Sequence, residues 1–515
     1  MTAESASDVV IAERPQPGEP RPYAFPSVAR TELDNGLTVL VADLPGRPLV
    51  SASMIIPVGA ADEPATDGGA AVLAARALTE GTERYHAIGL TEAAERLGAS
   101  LHAEAGWDAT SVGVDVPSAR LAAALELLAE VLLRPTFPRD DVDRLRDERL
   151  NDLLQAQADP RRRADETYIG TIYAPASPYH RPAGGTRETV ERLDDGVARR
   201  AYERVLDPAR ATLVIGGDLG GQDVVAMAER LFGAWARHER AVAPTEVIDQ
   251  GAGTGRLVRV VHRPGSVQTE IRVGHPGLAR RVPDYHAVTV MGAILGGLFN
   301  SRLNMQLREA KGYTYGAGAG FEMRRGAGPF TARAAVNTEV TVPAVLDTLS
   351  ELERMRDTRV TDEELASARD FLVGVFPLRF ETPGAVVAAL SGLAVHDLGL
   401  DELTDYRSRV EAVAIDAIEA AARAHLHVDR AAIVLVGDVD AFGSDLEAAG
   451  LGRLVIDRDE PAAAQMAPEA EAAAAVGPTD EGEEAGPTAG AEDPSLPGAD
   501  DPGAADTRPE DDPAA

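Results

Sequence analysis

The chain has 515 residues, 44% hydrophobic and 26% charged, with a formal net charge of −33 and no cysteine. That length exceeds one ordinary hydrophobic core and points to two or more domains of globular composition. The charge argues against a nucleic-acid partner, because nothing could neutralise a run of phosphates, and the missing cysteines exclude disulfides and thiolate metal sites.

In chain order, Met1–Ala12 has no basic segment leading into an apolar stretch, so no signal peptide is expected. No apolar run approaches the ~18 residues of a membrane span, and a cytoplasmic protein is the resulting expectation. Residues 1–27 read as a flexible arm. Thr38–Gly59 then reads as strand, Pro45-Gly46 turn and strand, followed by a helix over Gly69–Leu78. A short helix and a hairpin pairing Ser100–Ala105 with Thr110–Val116 come next, then amphipathic helices over Leu121–Leu133 and Val142–Gln157. The apolar run from Ala211 ends in a Gly217-Asp218 turn, and a Gly-containing joint follows at Gln250–Gly255.

The second part repeats the first. Arg256–Gly277 carries a Pro264-Gly265 turn, a helix is expected over Pro283–Leu295, and a hairpin pairs Tyr313–Arg324 with Gly328–Val336. Helices over Val342–Met355 and Glu363–Val375 precede an apolar run from Ala431 that ends in Gly437-Asp438. The two Gly-Asp turns, the two Pro-Gly turns and the acidic helix starts at Arg139 and Thr361 all lie about 220 residues apart, too far for a solenoid repeat. A duplicated domain is the simplest explanation. The fold expected is α+β: two tandem homologous α/β sandwich halves, over 28–245 and 256–458. The tail, 461–515, holds fourteen acidic residues and one arginine without apolar periodicity, and is expected to be disordered.

Several local runs in this layout resemble the pitrilysin/insulinase-type zinc peptidases, the inverzincins. They are Asp34-Asn-Gly-Leu-Thr-Val39, Gly69 with Gly81-Thr82, Ser177-Pro-Tyr-His-Arg-Pro182, Leu295-Gly-Gly-Leu-Phe-Asn-Ser-Arg-Leu303, and Leu307 to Tyr315. The resemblance covers about residues 28–458, and implies an inverted H-x-x-E-H on the first helix. Histidines at i and i+4 share a helical face and grip one zinc ion, with the glutamate between them as base. The matching positions here are Val72, Ala75 and Arg76: no lone pair, no base, and a permanent cation. The downstream carboxylate ligand falls near Asp152. The first half is therefore expected to have lost its zinc motif and to be inactive alone, with no cofactor of its own.

The resemblance further implies an arginine and a tyrosine seven positions apart in the second half, here Arg308 and Tyr315, that hold a substrate backbone. The Gly296-Gly297 loop matches a segment involved in substrate handling, whereas His180 has no carboxylate neighbour in sequence and reads as structural. The function expected is the non-catalytic subunit of a heterodimeric zinc peptidase. Its partners would be a homologous zinc-containing subunit and unfolded peptide, with no nucleic acid and no membrane. The alternative is an inert scaffolding homologue that handles no peptide. A different catalytic mechanism has no Ser-His or carboxylate-dyad arrangement to support it.

Overall fold

The computed structural model describes Gly18, residues 21–237 and residues 255–458. The acidic tail, most of the Gln250–Gly255 joint and the start of the N-terminal arm lie outside them. Twelve strands are described: β1 Ala29–Glu32, β2 Thr38–Asp43, β3 Leu49–Ile56, β4 Ser100–Ala105, β5 Thr110–Pro117, β6 Thr212–Gly217, β7 Leu257–His262, β8 Gln268–Pro276, β9 Ala317–Phe321, β10 Pro329–Asn337, β11 Ala432–Gly437 and β12 Arg453–Asp457. They form two six-stranded sheets, ordered β1-β2-β6-β3-β5-β4 and β12-β7-β11-β8-β10-β9. The inner five positions correspond strand for strand, and β2 runs parallel to β6 as β7 does to β11. The halves differ in the sixth strand, supplied by the N-terminal β1 in one sheet and the C-terminal β12 in the other. The run at Asp34-Asn-Gly makes the β1–β2 turn.

The duplication extends to hydrogen bonds. Asp218 Oδ2 accepts from the Gly46 amide at 3.1 Å, and Asp438 Oδ2 accepts from the Gly265 amide at 2.8 Å. Each Gly-Asp turn thus clamps the Pro-Gly turn of its own half.

Nine helices bear on the site: α1 Ala70–Ala77, α2 Leu121–Leu133, α3 Arg139–Ala158, α4 Pro160–Ile172, α5 Asp195–Val205, α6 Tyr285–Gly292, α7 Thr341–Asp357, α8 Asp362–Val375 and α9 Pro383–His396. Each sheet packs one face on helices of its own half, the first over Leu125, Leu128 and Leu213, the second over Leu295, Leu349 and Leu435. The opposite faces are covered by exchange. Helix α4 of the first half lies on β8 and β11, and α9 of the second half lies on β3 and β6. Both begin with a capping side chain followed by proline, Asp159-Pro160 and Thr382-Pro383, a favoured helix start.

This exchange explains why β3, after its first residue, and β11 are buried on both faces, β11 reading as an apolar run and β3 placing only the small Ser51 and Ser53 among its apolar residues. It also explains two glycines. A Cβ on Gly216 would come 3.0 Å from Val387 of α9, and one on Gly274 would come 2.3 Å from the Tyr168 hydroxyl of α4. The expectation of a flexible arm over 1–27 is corrected at its end: Phe25 is buried with Val386 and Leu390 of α9, and Tyr23 meets the Phe376 ring edge-on at 6.0 Å. Burying two aromatic rings outweighs the entropy of ordering this short stretch. Among the described residues no single helix is long and apolar enough to cross a membrane.

Candidate functional site

Helix α1 starts at Gly69, whose φ of +96° is left-handed and whose Cβ would strike the Gly184 carbonyl at 2.7 Å. Its first amides are satisfied from outside the helix. The buried Glu63 carboxylate accepts from Gly69 N–H at 2.7 Å and Ala71 N–H at 3.0 Å, the arrangement that suits an anion at a helix start. Burial raises the Glu63 pKa, opposed by those amides and by Arg181, which donates to it at 3.2 Å. The loop bearing Tyr179-His180-Arg181 therefore fixes α1 in place.

Tyr179 is fully buried, donating to Asp108 at 2.8 Å and accepting from the Gly326 amide at 3.1 Å. His180 Nδ1 pairs with the Tyr173 carbonyl at 2.8 Å, a structural contact. Arg325 of the second half crosses to Asp62 at 2.5 Å and to the Pro57 carbonyl at 2.9 Å, while Arg324 lies over the rings of Trp107 and Tyr179. Sequence reasoning missed this junction because its members are scattered singly through the chain.

Val72, Ala75 and Arg76 all lie on α1, which packs against α3, α5, β4 and β5. Ala75 is buried, while Val72 and Arg76 line a small gap with Leu145 and Arg149 of α3. Arg76 donates to Glu148 at 2.8 Å, and Glu148 also accepts from Arg144 at 2.6 Å. Asp152 is bonded by Arg149 and, at 2.8 Å, by Arg162. Burial pushes the Glu148 and Asp152 carboxyls up, but their arginine bonds win and hold both below the usual carboxylate range. Glu148 beside this helix and Asp152 further along α3 are thus both paired with guanidinium groups, and Val72, Ala75 and Arg76 offer no lone pair. The residues present do not fit a zinc ion.

A second group, His262, Asp438 and Asp440, brings ligand-type atoms within 4.8 Å of one another. Its members already serve the turn: His262 Nδ1 accepts from the Val439 amide, Asp438 from the Gly265 and Asp440 amides, and Asp440 from Arg458. The first half builds the same turn with Asp43 in the place of His262, accepting from the Leu219 amide at 3.2 Å. This is turn chemistry common to both halves.

The structure places Arg308 and Tyr315 on the surface of the second half. Arg308 lies on a π-helical turn, Met305–Ala310, with its guanidinium 4.5 Å from the Phe299 ring centre and 3.6 Å from Glu309. Tyr315 is 92% exposed, between that turn and β9. No hydrogen bond joins the two side chains, and none links either to Val72, Ala75 or Arg76. Phe299 and Met305 are exposed as well. Gly296 sits in another π-helical turn, Ala293–Gly297, where a Cβ would come 2.1 Å from the Ala319 amide nitrogen. The helix expected over Pro283–Leu295 therefore ends as α6 at Gly292 and continues as this wider turn, because glycine lets it press against β9.

The fold is thus a pair of α/β halves whose first helix carries no metal-ligating side chain at Val72, Ala75 or Arg76. A family profile described as insulinase (peptidase family M16) matches residues 38–176, and one described as the peptidase M16 inactive domain matches residues 196–372. An uncharacterized zinc protease of Mycobacterium tuberculosis is 26% identical over 426 residues, covering 82% of this chain and 96% of that one. A non-peptidase homologue of Helicobacter pylori is 24% identical, over 61% of this chain and 72% of that protein. Among solved structures, a peptidase M16 inactive domain from Pseudomonas fluorescens has a TM-score of 0.74 and 25% identity, covering 80% of this chain and 98% of its own. A protease from Helicobacter pylori also has a TM-score of 0.74, at 19% identity, covering 81% of this chain and 100% of its own. The chain belongs to the insulinase-type peptidase family M16, as a member without the metal-binding motif.

Proposed function

We propose that this chain is the substrate-holding, non-catalytic subunit of a two-chain peptidase whose zinc is carried by a homologous partner. The observation that carries the reading is the contrast between the two halves. The metal helix is closed by an arginine–carboxylate pair, whereas Tyr315 is exposed and Arg308 lies against the exposed Phe299 ring. Exposed aromatic side chains with an arginine against one of them are typical of contact surfaces. In the assembled enzyme the Arg308 guanidinium and the Tyr315 phenol would donate hydrogen bonds to the carbonyl oxygens of an extended peptide. Unfolded peptide suits the site because backbone groups are what such donors recognise, with little demand on side chains. The name of the Helicobacter pylori non-peptidase homologue supports the non-catalytic part of this reading.

The test is reconstitution. Purified alone, the chain should bind no stoichiometric zinc and hydrolyse no unstructured peptide. A homologous chain with intact H-x-x-E-H, encoded beside it, should co-purify with it and give activity that neither has alone. Arg308→Ala or Tyr315→Phe should then lower turnover while leaving assembly intact. Full activity from the doubly substituted complex would sink the proposal.

A further inference from the structure

Below the π-helical turn, edge strand β9 and helices α6, α8 and α9 enclose a cavity of about 420 Å³. Its walls are mainly apolar, with Val288, Leu298, Phe321, Leu372, Leu393 and Tyr406 prominent. Sites that take small ligands span roughly 300–1,000 Å³, while an ordinary packed core leaves few voids larger than a water molecule.

Besides Gly297, three glycines line this cavity: Gly292, Gly320 and Gly392. A Cβ built on any of them meets nothing within 4 Å, and none has a positive φ. Neither close packing nor backbone conformation therefore calls for glycine at these positions. That sets them apart from Gly296, which is held to glycine by Ala319. Gly292 and Gly392 moreover lie within α6 and α9, where glycine is among the least favourable residues. What their missing side chains do is keep the cavity open.

The polar groups at the cavity are unevenly satisfied. Arg280 is committed to Glu402 at 2.8 Å, and Glu322 accepts from Arg324 at 2.7 Å. By contrast, the buried Nδ1 of His396 has no hydrogen-bond partner, and the exposed Arg379 makes no ion pair or hydrogen bond to a described residue. One uncommitted cation at an apolar cavity complements an anionic head on an apolar body.

We propose that this cavity binds a small amphipathic carboxylate, its apolar body on the glycine-lined wall and its carboxylate toward Arg379. A free fatty acid and the apolar C-terminal end of a short peptide share this chemistry. The inference does not depend on the peptidase reading.

Calorimetric titration of the full chain tests it, with decanoate, decanol, N-acetyl-leucyl-phenylalanine and the amide of that peptide as probes. At least one of the two carboxylates should bind saturably at one site. Its neutral counterpart should bind about tenfold or more weakly, and Arg379→Gln should impose a similar loss, as expected for one charge-assisted hydrogen bond. Tighter binding of the peptide acid would assign a peptide end, and tighter binding of decanoate a fatty acid. Gly392→Leu, which fills the cavity, should abolish binding. Gly392→Ala should raise the melting temperature, since it improves helix propensity and touches nothing, so the argument survives should the leucine variant fail to fold. The proposal is overturned if neither carboxylate binds, if decanol and the peptide amide match their acids, or if Gly392→Ala lowers the melting temperature.

Discussion

Replacing Arg325 by alanine removes the cation that ties the two halves together at their junction. Its guanidinium reaches Asp62 at 2.5 Å and the Pro57 carbonyl at 2.9 Å, and stands 3.6 Å from Asp108. The carboxylate side chains are only 3% and 9% exposed, so the substitution takes this guanidinium from two poorly solvated groups. Removing one partner of a buried ion pair costs about 3–5 kcal/mol. The Arg325 side chain is itself 21% exposed, which places the expected loss near the lower end, about 3 kcal/mol. The backbone amides of Arg325 and Gly326 keep their bonds to Asp108 and Tyr179, so the loop should keep its course.

Urea unfolding followed by fluorescence reads this out, because Trp107 lies at the junction and Trp235 in the first half's own core. The Trp107 transition should move to lower urea. Adding Asp62→Asn should recover part of the loss, with a coupling of about 1 kcal/mol or more, since the stranded charge is then gone. A loss under about 1 kcal/mol, or strict additivity of the two substitutions, would refute the claim that this pair holds the halves together.

Stability should also depend on pH through His275, which is buried and stacked on Phe330. Nδ1 pairs with the Pro276 carbonyl and Nε2 accepts from the His427 amide, so the neutral ring is the one that fits. Burial pushes its pKa down to about 4 from 6.5. The folded state then binds fewer protons than the unfolded one between these values. The contribution is present above pH 6.5 and is lost as pH falls toward 4, by about 3 kcal/mol in all. Denaturation midpoints of wild type and His275→Gln at pH 7 and pH 4.5 should show a smaller difference in the variant. Glu63→Ala should cost about 3 kcal/mol, because it strands two amides and Arg181, whereas Arg76→Ala should cost under about 1 kcal/mol, its ion pair being exposed. A larger loss from Arg76→Ala in chemical denaturation would overturn that ranking. Gly296→Ala should lower stability by roughly 1–3 kcal/mol, since its Cβ meets the rigid backbone of β9, and an unchanged melting temperature would contradict the packing.

The duplication was legible because it rests on local patterns: apolar runs with the strand period, Pro-Gly and Gly-Asp turns, and amphipathic helices repeated at a constant distance. The missing metal chemistry at Val72, Ala75 and Arg76 was legible too, because whether a side chain owns a lone pair is a property of residue type. Which neighbour occupies the space was not. Arg76 could be read as a cation, but its pairing with Glu148 and the pairing of Asp152 with Arg149 and Arg162 depend on how α3 lies against α1 and α4.

The exchange of α4 and α9 between sheets was beyond sequence reading as well. An apolar strand run says that both faces are covered and leaves open which helix covers them. The Arg325 junction and the glycine-lined cavity are of the same kind, since each gathers residues far apart in the chain whose local sequence carries no periodic mark. Residue chemistry and short-range period thus settled what this chain lacks and what it repeats. The packing of distant segments decided what holds its halves together, which glycines are forced by close contact, and which ones face open space.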